Sequence, residues 1–317
     1  MADKYLVTGG AGFIGSNVVD ELLRRGYLVR VIDNFSTGRR SNLDHLRGEV
    51  EIVEGDIRSY ERVHNAVRGV DYVIHEAALP SVPRSVQDPL TTNDVNVTGT
   101  LNVLLSARDE GVKRVVFASS SSVYGANPAL PKLEDLQPMP LSPYGVAKLA
   151  GEQYCMAFFH VYGLETVPLR YFNVFGPRQD PASEYSAVIP RFMRMMHAGQ
   201  APTVFGDGMQ TRDFTHVSNV VQATCDAAMR EGAAGEIMNV AYGRSHTLRD
   251  LVAIMATALG CQVGPVYAPA RAGDVRDSYA DVTKARELLG YEPLVSLEDG
   301  IRSMAESVVP PTGGATP

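Results

Sequence analysis

Residues 5–16 read YLVTGGAGFIGS, an apolar strand that runs into a glycine turn and out into a helical pattern. Few junctions constrain a chain more. Gly9, Gly12 and Gly15 put no Cβ between the turn and whatever approaches its backbone. The helix that follows offers unpaired N–H groups at the positive end of its dipole, a seat for a pyrophosphate. Asp33 ends the next apolar run, Val29–Ile32, eighteen residues beyond Gly15. A carboxylate there can take both ribose hydroxyls of NAD and would repel a 2′-phosphate. The blander reading of the same residues is a turn cluster with a capping Asp. Arg39 and Arg40 lie beyond Gly38 and read as solvated loop charges rather than a 2′-phosphate site. Asp56 and Ile57 close the third strand, where an adenine could be met, although an Asp at a strand end is often only a turn former.

The glycine turn opens a repeating pattern. Tyr5–Thr8, Val29–Ile32, Val50–Val53, Tyr72–His75 and Val115–Ala118 are short apolar runs of the kind buried in parallel sheets. Helical patterns near 13–25, 59–68, 91–110 and 144–162 separate or follow them. Strand–helix alternation predicts an α/β fold with a doubly wound, Rossmann-like parallel sheet. Val167–Arg170 and Ile237–Val240 read as two further strands. After Gly176 the rhythm weakens, and Pro177, Pro181, Pro190 and Pro202 punctuate the chain. The expected organisation is therefore discontinuous. A dinucleotide domain spans 1–175 and is completed by 215–242. A smaller α/β substrate lobe is made by 176–214 and 243–309, and 310–317 reads as a disordered tail.

Composition excludes several classes. The 317 residues carry 29 Lys and Arg against 36 Asp and Glu, a net charge of −7. No positive field gathers nucleic acid, so any anion is held by a few placed groups. Three scattered cysteines, Cys155, Cys225 and Cys261, make neither a disulfide framework nor a zinc pattern, and no His/Cys/Asp grouping has metal spacing. No signal segment and no membrane-length apolar run is evident, and the expected location is the cytoplasm.

Catalytic side chains gather around the fifth strand. Ser120 stands at its C-terminal end, where open α/β sheets collect ligands. Tyr144 and Lys148 form Y-x-x-x-K, four apart and so on one face of a helix, with Pro143 suited to its first turn. Ser, Tyr and Lys together suit proton transfer at a hydroxyl or carbonyl. A phenol titrates near 10, and bringing it to neutrality takes roughly 4 kcal/mol of differential stabilisation. A nearby ammonium and a cationic nicotinamide have the right sign to supply it. Alone, Y-x-x-x-K is commonly a surface helix pair; its weight comes from the glycine turn and the strand-end serine.

These strings, with FASSSSVYG (117–125), SPYGVAK (142–148) and RYFNVFGPRQDP (170–181), resemble the extended short-chain dehydrogenase/reductase family. They are most similar to its UDP-glucose/UDP-N-acetylglucosamine 4-epimerase branch, from residue 4 to about 300. The resemblance implies a bound NAD that is not consumed. It implies Tyr144 as the base, Lys148 as the group that binds the nicotinamide ribose and tunes Tyr144, and Ser120 as the partner of the reacting sugar oxygen. Ser120 is chosen among Ser119–Ser122 because it stands four before Tyr124. Cofactor contacts carry over onto Phe13, Ile14, Asn34, Thr37, Gly38, Ala77, Ala78, Leu79, Asn96 and Phe172. Pro80 departs from relatives that carry a lysine there. A UDP-sugar would meet Arg212 and Arg271 at its phosphates, Asp274 at its ribose and Asn173 near the diphosphate. Ala187, Val188 and Phe205 would enclose the uracil, Gln210 would reach toward the ribose, and Ser278 would gate the sugar 2-substituent. Arg84, Arg178 and Arg191 otherwise read as surface charges, His75 as a packed polar residue and His216 as a helix-start residue.

Within that family, dehydratases resemble T-D-E-V-Y-G and decarboxylases T-S-E-V-Y-G, whereas this chain reads Ser120-Ser121-Ser122-Val123-Tyr124-Gly125. Elimination requires a second acid/base, and no carboxylate occupies either position. The expectation is therefore 4-epimerisation of UDP-glucose and UDP-galactose, and of their N-acetyl counterparts, by a homodimer. Its helices near 91–110 and 144–162 would pair through Leu101, Leu104, Leu105, Val146 and Leu149. The rival readings are a dehydratase or decarboxylase, and a non-catalytic dinucleotide sensor.

Overall fold

Seven of the apolar runs pair side by side, every neighbour parallel. They are β1 (Lys4–Thr8), β2 (Leu28–Asp33), β3 (Val50–Glu54), β4 (Tyr72–His75), β5 (Arg114–Ser120), β6 (Glu165–Tyr171) and the strand Met238–Val240. In space the order is Met238–Val240, β6, β5, β4, β1, β2, β3. The computed structural model describes residues 2–180, 187–270 and 276–308. Arg271, Asp274 and the 310–317 segment lie outside them. The chain builds outward from β1 to β3, then crosses back to lay β4 on the other side of β1. That reversal opens a crevice between the carboxyl ends of β1 and β4, the position where doubly wound sheets take their ligands.

Alternate residues of each strand feed two cores. Tyr5, Val7, Ile74 and Val116 face α1 (Phe13–Arg24) and α8 (Val217–Met229). Leu6, Val73, Val115 and Phe117 face α2 (Tyr60–Val67), α5 (Gly99–Asp109) and α6 (Pro143–Tyr162). Two short helices, α3 (Val82–Gln87) and α4 (Pro89–Asn93), lie against α6. A third apolar cluster lies apart from the sheet. It joins Phe192 and Met196 of α7 (Val188–His197), Leu251 and Met255 of α9 (Leu248–Leu259), and Ile301 of the Leu297–Val308 helix. No helix among the described residues is long and apolar enough to cross a membrane.

Two expectations need correction, and one gains a detail. β3 is not a buried strand: it closes one edge of the sheet, and Ile52 is 45% exposed. The helix expected over 91–110 is present as one helical run, in which a wide π turn at Asp94–Thr98 joins α4 to α5. Leu104 is fully buried in the molecule's own core, so it is not an outward-facing position.

Candidate active site

The glycine turn fits against β4 because it has no side chains there. Gly9 has φ +69°, and a Cβ on it would come within 2.7 Å of the Ala77 backbone. A Cβ on Gly15 would stand 2.2 Å from the Gly9 carbonyl. Gly12 caps α1 without any side-chain hydrogen bond, leaving the helix mouth to an anion. Below the turn the Asp33 carboxylate accepts from the Ala11 amide at 2.9 Å and the Phe35 amide at 2.8 Å. Burial raises its pKa, and those two amides pull the other way. A Cβ on Gly38 would lie 2.9 Å from the same carboxylate, so this turn packs on Asp33 only as glycine. Thr37 is exposed beside it. Phe13 and Ile14 are half-buried in the first turn of α1. The bare turn, the open helix mouth and the seated acid fit a dinucleotide.

The other expected cofactor residues are engaged within the protein itself. Asp56 is held by Arg58 at 2.8 Å and by the Asn34 amide at 2.9 Å, with its pKa lowered to about 2 by Arg58 first. The Ile57 and Phe172 side chains lie in the core, so only their backbone can face a ligand. The Asn96 amide is spent on Leu79, accepting from its N–H at 2.8 Å and donating to its carbonyl at 3.0 Å. Asn96 therefore fixes the Ala77–Ala78–Leu79 loop. Arg39 and Arg40 are engaged by Asp180 and Glu54. His75 bridges Thr8 and Thr100 at 2.7 and 3.0 Å, and burial lowers its pKa to about 3, so it is a neutral packed residue. His216 caps α8.

At the end of β5 the four serines diverge. Ser119 turns inward and donates to Glu152 at 2.5 Å. Ser120 stays half-exposed, donates to the Ser122 hydroxyl at 3.1 Å and accepts from its amide at 3.2 Å. Tyr144 enters from α6, whose first turn is set by Pro143 and by Ser142, which accepts from the Gly145 amide at 3.1 Å. Burial raises the Tyr144 pKa; a hydrogen bond with Ser120 lowers it, and Glu76 raises it. Lys148 lies one turn on, donates to the Ala118 carbonyl at 2.7 Å and stands 5.9 Å from the centre of the Tyr144 ring. Burial lowers its pKa to about 8. The trio meets at this strand end, with Ser120 lowering the phenol's pKa and Lys148 facing its ring.

The expected sugar-nucleotide residues fall on loops and short strands. Arg212 and Ser278 are register partners on the parallel strands Thr211–Arg212 and Asp277–Ser278, with Thr211 donating to Asp277 at 2.8 Å. The Arg212 guanidinium also donates to the carbonyls of Thr211 and Arg276 at 2.8 and 3.0 Å. Gln210 donates to the Phe205 carbonyl at 2.6 Å, Ala187 caps α7 ahead of Val188, and Asn173 donates to the Asp213 carbonyl at 3.2 Å. Arg178 pairs with Asp20.

Three carboxyls escaped the sequence reading, Glu152 and Asp213 fully buried and Glu76 half-buried. Glu152 joins Ser119 to Arg170. Glu76 accepts from the Tyr171 hydroxyl at 2.8 Å. Asp213 accepts from the amides of Tyr242, Gly243 and Ala280. The only local signal for Glu76 is an acid at the end of an apolar strand, directly before the Ala-Ala of the cofactor loop.

Fold and site together define a nucleotide-cofactor enzyme on a doubly wound sheet. The chain belongs to the NAD dependent epimerase/dehydratase family, whose model matches residues 5–241. A UDP-glucose 4-epimerase of Mycolicibacterium smegmatis is 41% identical over 307 residues, 96% of this chain and 97% of its own. The solved UDP-N-acetylglucosamine 4-epimerase of Methanobrevibacter ruminantium, in complex with UDP-N-acetylmuramic acid, matches with a TM-score of 0.92 at 38% identity, over 96% of this chain and 98% of that one. The UDP-glucose 4-epimerase of Thermus thermophilus, in complex with NAD, matches with a TM-score of 0.87 at 38% identity, over 95% and 97%. The chain is an enzyme of the isomerase class and its cofactor is NAD.

Proposed function

We propose that this enzyme inverts C4 of UDP-hexoses, interconverting UDP-glucose with UDP-galactose and the N-acetyl pair likewise. The carrying observation is the strand end itself: Tyr144, Lys148 and Ser120 converge, while Ser121 and Ser122 stand where an eliminating or decarboxylating relative carries carboxylates. Tyr144 takes the proton from the sugar 4-hydroxyl and returns it later, so no proton need leave the site. Ser120, which lowers the phenol's pKa, orients that hydroxyl. Lys148, fixed on the Ala118 carbonyl, keeps a positive charge beside the phenol. The glycine turn, Asp33 and the Ala77–Leu79 loop would hold NAD, which would supply a reversible hydride acceptor for C4 and a positive charge that favours the phenolate. Arg212 supplies a guanidinium for the diphosphate, Arg271 and Asp274 would complete that nucleotide site, and the 176–214 and 243–309 segments form the substrate lobe. The intact dinucleotide turn, with both Tyr144 and Lys148 present, speaks against a non-catalytic sensor.

The test is incubation with UDP-glucose and UDP-N-acetylglucosamine separately, without added NAD, and NMR of the products. Epimers of unchanged mass from both are expected. Loss of water or of carbon dioxide from the sugar, or strict dependence on stoichiometric NADPH, overturns the reading.

A further inference from the structure

The strand ends around Ser120 carry one ionisable group that the proposed chemistry leaves unused. Glu76 follows directly on β4. Because His75 is in register with Phe117, Glu76 comes level with Ala118, the residue whose carbonyl holds Lys148. On the other side of β5, Tyr171 is in register with Ser120. The Tyr171 hydroxyl reaches back across the end of β5 to the Glu76 carboxyl at 2.8 Å and shares a 2.7 Å hydrogen bond with Thr224 of α8. Thr224 is itself anchored on the Val220 carbonyl at 2.7 Å. The carboxyl is therefore clamped from the α8 side, at the strand ends that seat Ser120, Lys148 and Tyr144.

We propose that Glu76 is a positioning residue of this site, a clamped carboxyl that acts on the reaction through the charge states of Tyr144 and Lys148. The proposal rests on the epimerase reading for its kinetic consequence but not for its electrostatics. The groups that act on Glu76 are Lys148 and Tyr144 from α6, Tyr171 from β6 and Cys225 from α8. Burial pushes Glu76 up to about 7, and the Tyr171 hydrogen bond and Lys148 oppose that rise. Below that pH the carboxyl is neutral. Above it the charge holds the Lys148 proton on and holds the Tyr144 phenol in its neutral form. One group thus biases both protonation states on which the proton transfer depends.

The experiment uses the holoenzyme. The Tyr144 phenolate is titrated by ultraviolet difference absorbance, each protein against its own Tyr144→Phe counterpart, and kcat/KM is followed over the same pH range. Glu76→Gln should move the phenolate titration and both limbs of the profile to lower pH together, by about half to one pH unit. Glu76→Asp, which keeps the charge, should stay near wild type. Tyr171→Phe, which removes the donor and delays ionisation of Glu76, should move the phenolate titration in the same direction by less. If Glu76→Gln lowers kcat while the phenolate titration and profile stay in place, the residue is structural and the proposal fails. Should Glu76→Gln not fold, an unmoved titration in Tyr171→Phe overturns it equally. The titration needs no substrate, so failure to epimerise UDP-hexoses would sink the functional reading and leave this result standing.

Discussion

Tyr144 and Lys148 face each other across one turn of α6, and burial drives their titrations apart. It raises the phenol and lowers the ammonium, the latter to about 8, because each charged form loses its water. Removing the base while keeping the ring, in Tyr144→Phe, should lower kcat by about 10² to 10⁴ in steady-state assays, the usual scale for general base catalysis. The pH sign follows from Lys148: it is charged below about 8 and neutral above, so kcat/KM should fall as pH rises through that value. In Lys148→Ala the descending limb should vanish from the profile along with most of the activity. Ser278 offers a steric test. It lies in register with Arg212, where a larger side chain would stand beside the phosphate arginine. Ser278→Tyr should lower UDP-N-acetylglucosamine turnover by roughly 10²-fold and spare UDP-glucose, measured by comparing kcat/KM for the two sugars.

Between elements, the geometry of the trio depends on a buried ion pair. Glu152 sits one turn beyond Lys148 on α6, with no exposed surface. It takes the Arg170 guanidinium through two bonds of 2.9 Å and the Ser119 hydroxyl at 2.5 Å. One carboxylate thus ties α6 to β5 and β6, the elements that carry Tyr144, Ser120 and Tyr171. Glu152→Ala strands Arg170 in the core and should cost about 3–5 kcal/mol, seen as a lower midpoint in urea unfolding. Such ties explain what the sequence could and could not disclose. Each strand of the sheet is a short apolar run between turn formers, so its existence is a local signal. Asp33, Ser120 and Y-x-x-x-K are legible because their spacing from a strand end or along a helix is local too. Glu76 and Tyr171 are ninety-five residues apart and meet only through the strand order, which no local pattern encodes. The Asp94–Thr98 turn hid for a similar reason. Its apolar spacing reads as continuous helix, yet the wide turn holds Asn96, whose amide is committed to Leu79 of the cofactor loop. The two-residue strands that bring Arg212 to Ser278 are too short to leave a period at all.

At the scale of the whole molecule, the outer face of α6 does not look like a surface meant for water. Val146, Ala150, Tyr154, Ala157 and Val161 recur three or four residues apart and so form one stripe. Val146 is 54% and Val161 69% exposed. Beside that helix, α3 and α4 add Val86 at 63% and Leu90 at 81%. Apolar side chains scattered singly on a surface need no explanation, but a stripe continued by neighbouring helices does. A second copy of the chain is the partner we propose, since a two-fold contact lets the same stripe cover itself and bury the area a stable interface needs, on the order of 1,600 Å². Leu104 takes no part, because it is fully buried in its own core; the contact would run through the stripe and the flanking short helices. Light scattering at micromolar concentration should give twice the chain mass of 34.3 kDa. Tyr154→Glu combined with Val161→Glu, both more than two turns beyond Tyr144, should give a monomer with unchanged far-ultraviolet circular dichroism. Charges buried face to face across a two-fold axis repel and lose their water. A wild-type protein that scatters as a monomer, or a double variant that remains dimeric, would move the interface off α6.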